Sequence, residues 1–247
     1  MDKSVFFSIM RTVFCQHESY CAHVYKPTVT FHIISIFPEV FEKYLNTSML
    51  WRAKKEKKAL YKIWNPRNYT KDKHKKVDHR PYGGGPGMVM TAEPILLAVN
   101  KALGRKKIKT KIVIFSPRGK QFTNALAKEW SKKFESLVLI AGHYEGIDAR
   151  VKKILKAEEV SVGPYVLTGG EIPAMLVADA VTRQLPGVLG NNQSLEEGRI
   201  TSPVVYTRPE TYIYKGKRLK VPKVLLSGHA AKIEEWKTSL TAKRKRL

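Results

Sequence analysis

The sequence predicts an α/β protein built on a mostly parallel sheet, and two observations carry that prediction. Short apolar runs alternate with helix-length segments between residues 31 and 185, the order that lays strands side by side and covers them with helices. Three of the runs end in loops that carry Gly or Pro: Phe115-Ser-Pro-Arg-Gly119, Ala141-Gly-His-Tyr-Glu-Gly-Ile147 and Ser161-Val-Gly-Pro-Tyr-Val-Leu-Thr-Gly-Gly-Glu171. In a parallel sheet such loops share the carboxyl edge, where ligands bind. Glycine has no Cβ to keep a ligand off the main chain. Each loop alone reads equally well as an ordinary strand-to-helix turn; together they predict one pocket walled by backbone.

The elements follow in order. Residues 31–36 (Phe-His-Ile-Ile-Ser-Ile) form an apolar strand, Pro38 opens a helix continued by Glu39–Leu45, and residues 60–64 read as a second strand. From 65 to 90 no periodicity persists, and Arg80-Pro-Tyr-Gly-Gly-Gly-Pro-Gly-Met88 is a loop by composition. An irregular stretch of that length inside a compact domain is more often functional than decorative. Next come a helix at 93–103, a strand at 111–115, a helix at 123–134 and a strand at 137–140. A helix at 147–155 follows, with Val151, Ile154 and Leu155 on one face. An extended segment at 160–167 leads into a helix at 171–185, whose Pro173 near the start costs only an orphan N–H. Residues 191–205 are polar and turn-rich, and a last helix is expected at 229–240. The expected organisation is a flexible extension (1–30), a main α/β domain (31–190), a linker (191–205) and a small, mainly helical C-terminal domain (206–247).

Charge is the second strong signal. Among 247 residues, 45 Lys+Arg face 21 Asp+Glu, a formal net charge of +24. The cations bunch at 52–58, 71–80, 105–111, 215–223 and 243–246. A field of that sign attracts polyanions, and Lys and Arg contacts to phosphate supply most sequence-independent affinity for nucleic acid. No apolar run approaches the length of a membrane span, and residues 5–10 are too short for a signal sequence, so no membrane partner and a cytoplasmic location are expected. Cys15 and Cys21 alternate with His17 and His23, a spacing that matches no common zinc pattern.

Several chemistries lack their motifs. Residues 83–87 are glycine-rich without the spacing of a dinucleotide fingerprint, and no Gly-Lys-Ser/Thr follows them. Neither a nucleophile elbow nor a His-Glu-x-x-His is present. A nucleic-acid-modifying transferase fits what remains, and so does a non-catalytic RNA-binding protein.

Longer motifs sharpen the choice. Pro81-Tyr-Gly-Gly-Gly-Pro-Gly-Met88, Gly142-His-Tyr-Glu-Gly-Ile-Asp148, Gly163-Pro-Tyr-Val-Leu-Thr-Gly-Gly-Glu171, Leu185-Pro-Gly-Val-Leu-Gly190 and Tyr206-Thr-Arg-Pro-Glu210 occur in that order. Together they resemble the bacterial tRNA (guanine-N1)-methyltransferases, the TrmD family of the SPOUT superfamily. The resemblance runs from about Phe31 to Trp236 and leaves the first 30 residues without a counterpart. It implies a trefoil knot at the C-terminal end of the methyltransferase domain and a homodimer. It also implies methyl transfer from S-adenosyl-methionine to N1 of the tRNA guanosine that follows the anticodon, with magnesium as a further cofactor at a site the sequence does not place. A relative that binds tRNA without turning over is the alternative.

The resemblance also implies site residues. The cofactor would be held by Ser116, Pro117, Gly142, Tyr144, Glu145, Val162, Gly163, Pro164, Tyr165, Val166, Leu167, Gly169 and Gly170; plain core packing is the alternative for the two tyrosines. His74, Asp78, Arg80 and Arg208 would contact tRNA, joined by basic residues of 71–76. N1 of guanine carries a proton and is a weak nucleophile, so the reaction needs a base at N1 and a cation near O6. Arg183 matches the family's catalytic arginine. The family's aspartate base falls, by gapless count from Ser194, on Gly198; Glu197 takes the role if the register shifts, with Glu196 as second choice. Pro164 stands where many members carry an aspartate. The chain also ends earlier than the family's usual C-terminal domain, which predicts a smaller RNA footprint.

Overall fold

A computed structural model describes residues 28–105, 108–189 and 204–244, the last four of these as backbone only. The chain divides into two compact units, the first ending at Val188. In the first, strands β1 (Val29–Ile34), β2 (Ala59–Trp64), β5 (Thr110–Gln121), β6 (Ser136–Ile140) and β7 (Glu158–Ser161) form a five-stranded sheet in the order β2-β1-β6-β5-β7. Every pairing in it is parallel. The central strand β6, Ser-Leu-Val-Leu-Ile, is buried at every position, as a strand covered on both faces must be.

Alternate strand residues point to opposite faces, and two cores result. On one face Phe31, Ile33, Val113, Leu137, Leu139 and Val160 pack against helices α1 (Glu39–Leu45), α2 (Ser48–Lys55), α4 (Asn124–Lys133) and α6 (Glu171–Thr182). On the other face Ile34, Ile114, Val138 and Ile140 meet α3 (Ala92–Leu103) and α5 (Ala149–Leu155). Local chemistry sets the helix starts: Thr123 accepts from Leu126 N–H at the head of α4, and Asp148 accepts from Arg150 N–H at the head of α5.

The structure departs from the expected elements in several places. The first strand begins at Val29 rather than Phe31, because β1 pairs with β2 from Val29 onward. The first helix is two, broken at Asn46 and Thr47. The irregular stretch 65–90 holds a 3-10 turn (Pro66–Tyr69) and a short antiparallel pair, β3 (Asp78–His79) with β4 (Val89–Met90). The strand expected over 160–167 stops at Ser161, whose hydroxyl bonds both Gly163 N–H and Gly163 C=O and turns the chain. The helix expected to reach 185 ends at Thr182, with Arg183 as its cap.

The second unit, described from residue 204, is not helical throughout. An antiparallel hairpin of β8 (Thr211–Tyr214) and β9 (Lys217–Lys220) precedes α7 (Lys223–Leu226) and α8 (Ala230–Arg244). Lys215 and Gly216 form its two-residue turn, both at positive φ, as such hairpins require. Among the described residues no helix is long and apolar enough to cross a membrane.

Candidate functional site: a main-chain cleft at the carboxyl edge of the sheet

The bulged stretch of β5 and the loops after β6 and β7 converge on one cleft of about 800 Å³. Of the thirteen residues expected to hold a cofactor, all but Pro164 line it. The exception is geometric: Gly163 and Tyr165 reach the cleft, and the turn between them directs exposed Pro164 outward.

Close main-chain approaches build the walls. A Cβ on Gly170 would lie 2.6 Å from Ala141 Cα, and Gly170 N–H donates to Gly142 C=O at 2.7 Å. The start of α6 is thereby pressed against the end of β6. On the far wall β5 bulges between Phe115 and Lys120, so that both pair with Val160. Gly119 sits in that bulge, where a Cβ would come within 2.5 Å of the Glu159 carbonyl carbon and Val160 nitrogen. A third wall carries strain, since Tyr144 holds φ 60, unusual for a residue with a side chain. Tyr144 keeps its ring partly exposed toward the cleft, in edge contact with His143 at 4.9 Å.

The long 80–90 loop docks onto the same wall. Glu145 N–H donates to Met88 C=O, Met90 N–H to Gly146 C=O and Asp148 N–H to Met90 C=O. Gly87, at φ +81, lies so near Glu145 that a Cβ would come within 2.5 Å of its carboxylate.

Behind the cleft lies a polar group that sequence reasoning did not single out. Ser35 Oγ donates to Glu171 Oε1 at 2.9 Å, with both residues buried. The other oxygen, Oε2, stands 3.8 Å from His143 Nδ1, beyond hydrogen-bond reach. That buried nitrogen has no partner among the described residues. Phe37 meets the His143 ring edge-on at 5.1 Å. A buried carboxylate at the first position of a helix, beside an unsatisfied imidazole nitrogen, leaves the cleft floor with polar capacity that protein groups do not use.

The other expected residues lie elsewhere. Arg183 caps the far end of α6, a helix whose rise puts it roughly 20 Å from Gly170. Its Nε is buried and has no hydrogen-bond partner among the described residues. One turn earlier, Asp179 accepts from Tyr44 O–H, a contact that raises the Tyr44 pKa to about 12. Beside it Tyr61 O–H and Thr182 Oγ1 are 2.8 Å apart, and burial lifts Tyr61 to about 12 as well. These contacts join residues more than a hundred positions apart, so nothing local in the sequence announces them. His74 and Arg80 are exposed on the 65–90 segment, Asp78 is half-buried in β3, and Arg208 is exposed in the second unit. Glu196 and Glu197 lie outside the described residues. Among the described residues no group of three or more His, Cys, Asp or Glu could hold a metal ion.

Fold and cleft together define an α/β protein of the class that takes its ligand on main-chain loops at the carboxyl ends of parallel strands. Comparison with known proteins narrows the class. The family described as tRNA (Guanine-1)-methyltransferase TrmD matches residues 29–247. A tRNA (guanine-N(1)-)-methyltransferase of Moorella thermoacetica is 44% identical over 210 residues, covering 83% of this chain and 82% of that protein. Its counterpart in Pseudoalteromonas atlantica is 46% identical over 211 residues, with 84% and 78% covered. The Bacillus subtilis enzyme is 42% identical over 215 residues, with 85% and 86% covered. The chain belongs to the TrmD family of tRNA (guanine-N1)-methyltransferases.

Proposed function

We propose that this protein transfers a methyl group from S-adenosyl-methionine to N1 of the guanosine immediately 3′ of a tRNA anticodon. The observation that carries the reading is the cleft of about 800 Å³ walled by three main-chain loops, in a chain that the family matches over residues 29–247. Exposed N–H and C=O groups of strand-end loops suit the hydrogen-bonding edge of an adenine, and Gly142, Gly163, Gly169 and Gly170 let a ligand come close. Tyr144, Tyr165, Val166 and Leu167 offer partly exposed apolar surface beside them. The bound S-adenosyl-methionine supplies the electrophilic methyl group. A knotted path for the segment after β7 belongs to the same proposal.

The chain's own groups then carry the proton and the charge. Arg183 stabilises the negative charge that gathers on guanine O6 as N1 loses its proton. Glu197, or failing that Glu196, accepts the proton. Arg183 stands too far from the cleft of its own chain to act there. A homodimer resolves this: the outward stripe of α6 carries Ile172 and Leu176, exposed by 56% and 39%, and leads to Arg183. Burying that apolar stripe against a second copy brings the arginine to the partner's cleft. His74, Asp78, Arg80 and Arg208, with the lysines of 71–76, hold the tRNA. Any magnesium ion is shared between carboxylates and RNA phosphate oxygens, and the reaction takes place in the cytoplasm.

The test is transfer of labelled methyl to an unmodified tRNA transcript with guanosine after the anticodon, beside an adenosine variant. Label in the first transcript alone is the expected result. No label, with S-adenosyl-methionine still bound, would overturn the proposal and leave a tRNA-binding relative whose lesion is the Gly198 substitution.

A further inference from the structure

The edge of the sheet opposite the cleft carries a concentration of positive charge that methyl transfer does not use. Because the strands are parallel, every turn from a helix into a strand delivers its residues to that edge. The register aligns the entries closely: Val29 is level with Ala59, and Thr30 and Thr110 are both level with Ser136. The turns into β2, β5 and β6 therefore place Lys57 and Lys58, Arg105 and Lys109, and Lys132 and Lys133 along one rim. Four adjacent strands make that rim about 14 Å wide. A cavity of about 260 Å³ opens within it, lined by Lys58, Lys109, Lys132 and Lys133.

Carboxylates neutralise only part of this charge. Glu56 pairs with Arg52 and Lys58, and Glu129 with Lys133 at 3.5 Å. Glu135 lines the cavity. Among the described residues Lys57, Arg105, Lys109 and Lys132 are exposed and make no ion pair. Lys132 lies in the last turn of α4, where a cation offsets the helix dipole. Lys57, Arg105 and Lys109 lie outside any helix and have no such role. Most exposed charged side chains of these turns are cationic, with Glu56 the exception, and Phe134, Leu185 and Pro186 add apolar lining to the cavity.

We infer that this rim is a second RNA-docking surface, one that grips the phosphodiester backbone of an RNA other than the strand serving the cleft. The choice of RNA over another polyanion rests on the proposed function. Lysines spread along an edge, exposed and unpaired, read backbone charge rather than base sequence. Within one protomer the length of the strands separates them from the cleft.

The experiment uses the full chain and a short duplex RNA without an anticodon loop, its affinity followed through a salt titration. Wild type should bind with a steep inverse dependence on salt, and a saturating anticodon stem-loop should leave much of that binding in place. K109Q/K132Q should flatten the log–log slope by about 0.7 to 0.9 for each lysine removed and weaken low-salt binding several-fold; K109E/K132E should weaken it further. Binding of S-adenosyl-methionine in the same preparations reports that the domain is intact. Slopes equal to wild type in both variants would overturn the inference. So would duplex binding fully competed by the stem-loop, or a wild type that binds no duplex, which would turn the rim toward an acidic protein. Duplex binding needs no methyl transfer, so a failed methylation assay would leave this result standing.

Discussion

Trp64 Nε1 donates to His32 Nδ1 at 3.1 Å, which requires that nitrogen to be unprotonated. Burial, with Lys62 adding to it, lowers the His32 pKa to about 4. A histidine depressed in the native state binds its proton first in the unfolded chain, so stability is lost as pH falls from about 6.5 toward 4. The loss approaches about 3 kcal/mol. His32→Asn keeps an acceptor for Trp64 and removes the titration, so urea midpoints at pH 7 and pH 5 should move closer together than in wild type; equal separations would remove His32 from the acid response. Catalysis has its own test at this scale. Either Glu197→Ala or, failing that, Glu196→Ala should cut methyl transfer by several powers of ten while RNA affinity is kept, and unchanged rates in both would end the register-shift assignment. Sequence alone marked the cleft glycines, because Gly and Pro at strand ends are local signals. It gave no sign of the Ser35–Glu171–His143 group, whose members come from three separate segments brought together by the fold.

At the scale of elements, β5 depends on a residue with no conformational demand of its own. Gly119 is not at positive φ, and its Cβ would meet the β7 backbone at 2.5 Å. Gly83, Gly84 and Gly85 are the converse, all at positive φ with open space around them. Gly119→Ala should therefore force β5 and β7 apart and cost about 1–3 kcal/mol, read from chemical denaturation, with weakened S-adenosyl-methionine binding as the companion effect. A wild-type midpoint would show that the bulge absorbs the methyl group. The alternation of strands and helices was legible because apolar periodicity is set residue by residue. The bulge was not, since it depends on how β5 pairs with Val160 of the distant β7. The β8–β9 hairpin was missed for another reason: Thr-Tyr-Ile-Tyr and Lys-Arg-Leu-Lys are mostly exposed, so no alternation of inside and outside marks them.

For the whole molecule, the proposed function calls for a second copy. Leu176→Asp places a charge in the exposed apolar stripe of α6 and should shift the protein from dimer to monomer in sedimentation. Methyl transfer should then fall by orders of magnitude, while each separate cleft still binds S-adenosyl-methionine. A fully active monomer would contradict the assignment of Arg183 to the partner's cleft. Neither the proposed dimer nor the proposed knot could be read from periodicity or composition, which describe a chain's own faces and not its threading or its neighbours. Family motifs alone pointed to them.

The sheet order has a consequence for the nascent chain. Of the described strands β1 is the first to leave the ribosome, yet its place is between β2 and β6. Thr30 must wait for Ser136 before that edge is closed, a delay of about a hundred residues at a typical synthesis rate of about 5–20 residues per second. Throughout that interval a buried strand of Val, Phe and Ile presents unpaired N–H and C=O groups to the cell. Pairing of such high contact order is slow even in a finished chain. The emerging protein thus has a window of several seconds in which another chain can take the place of β6.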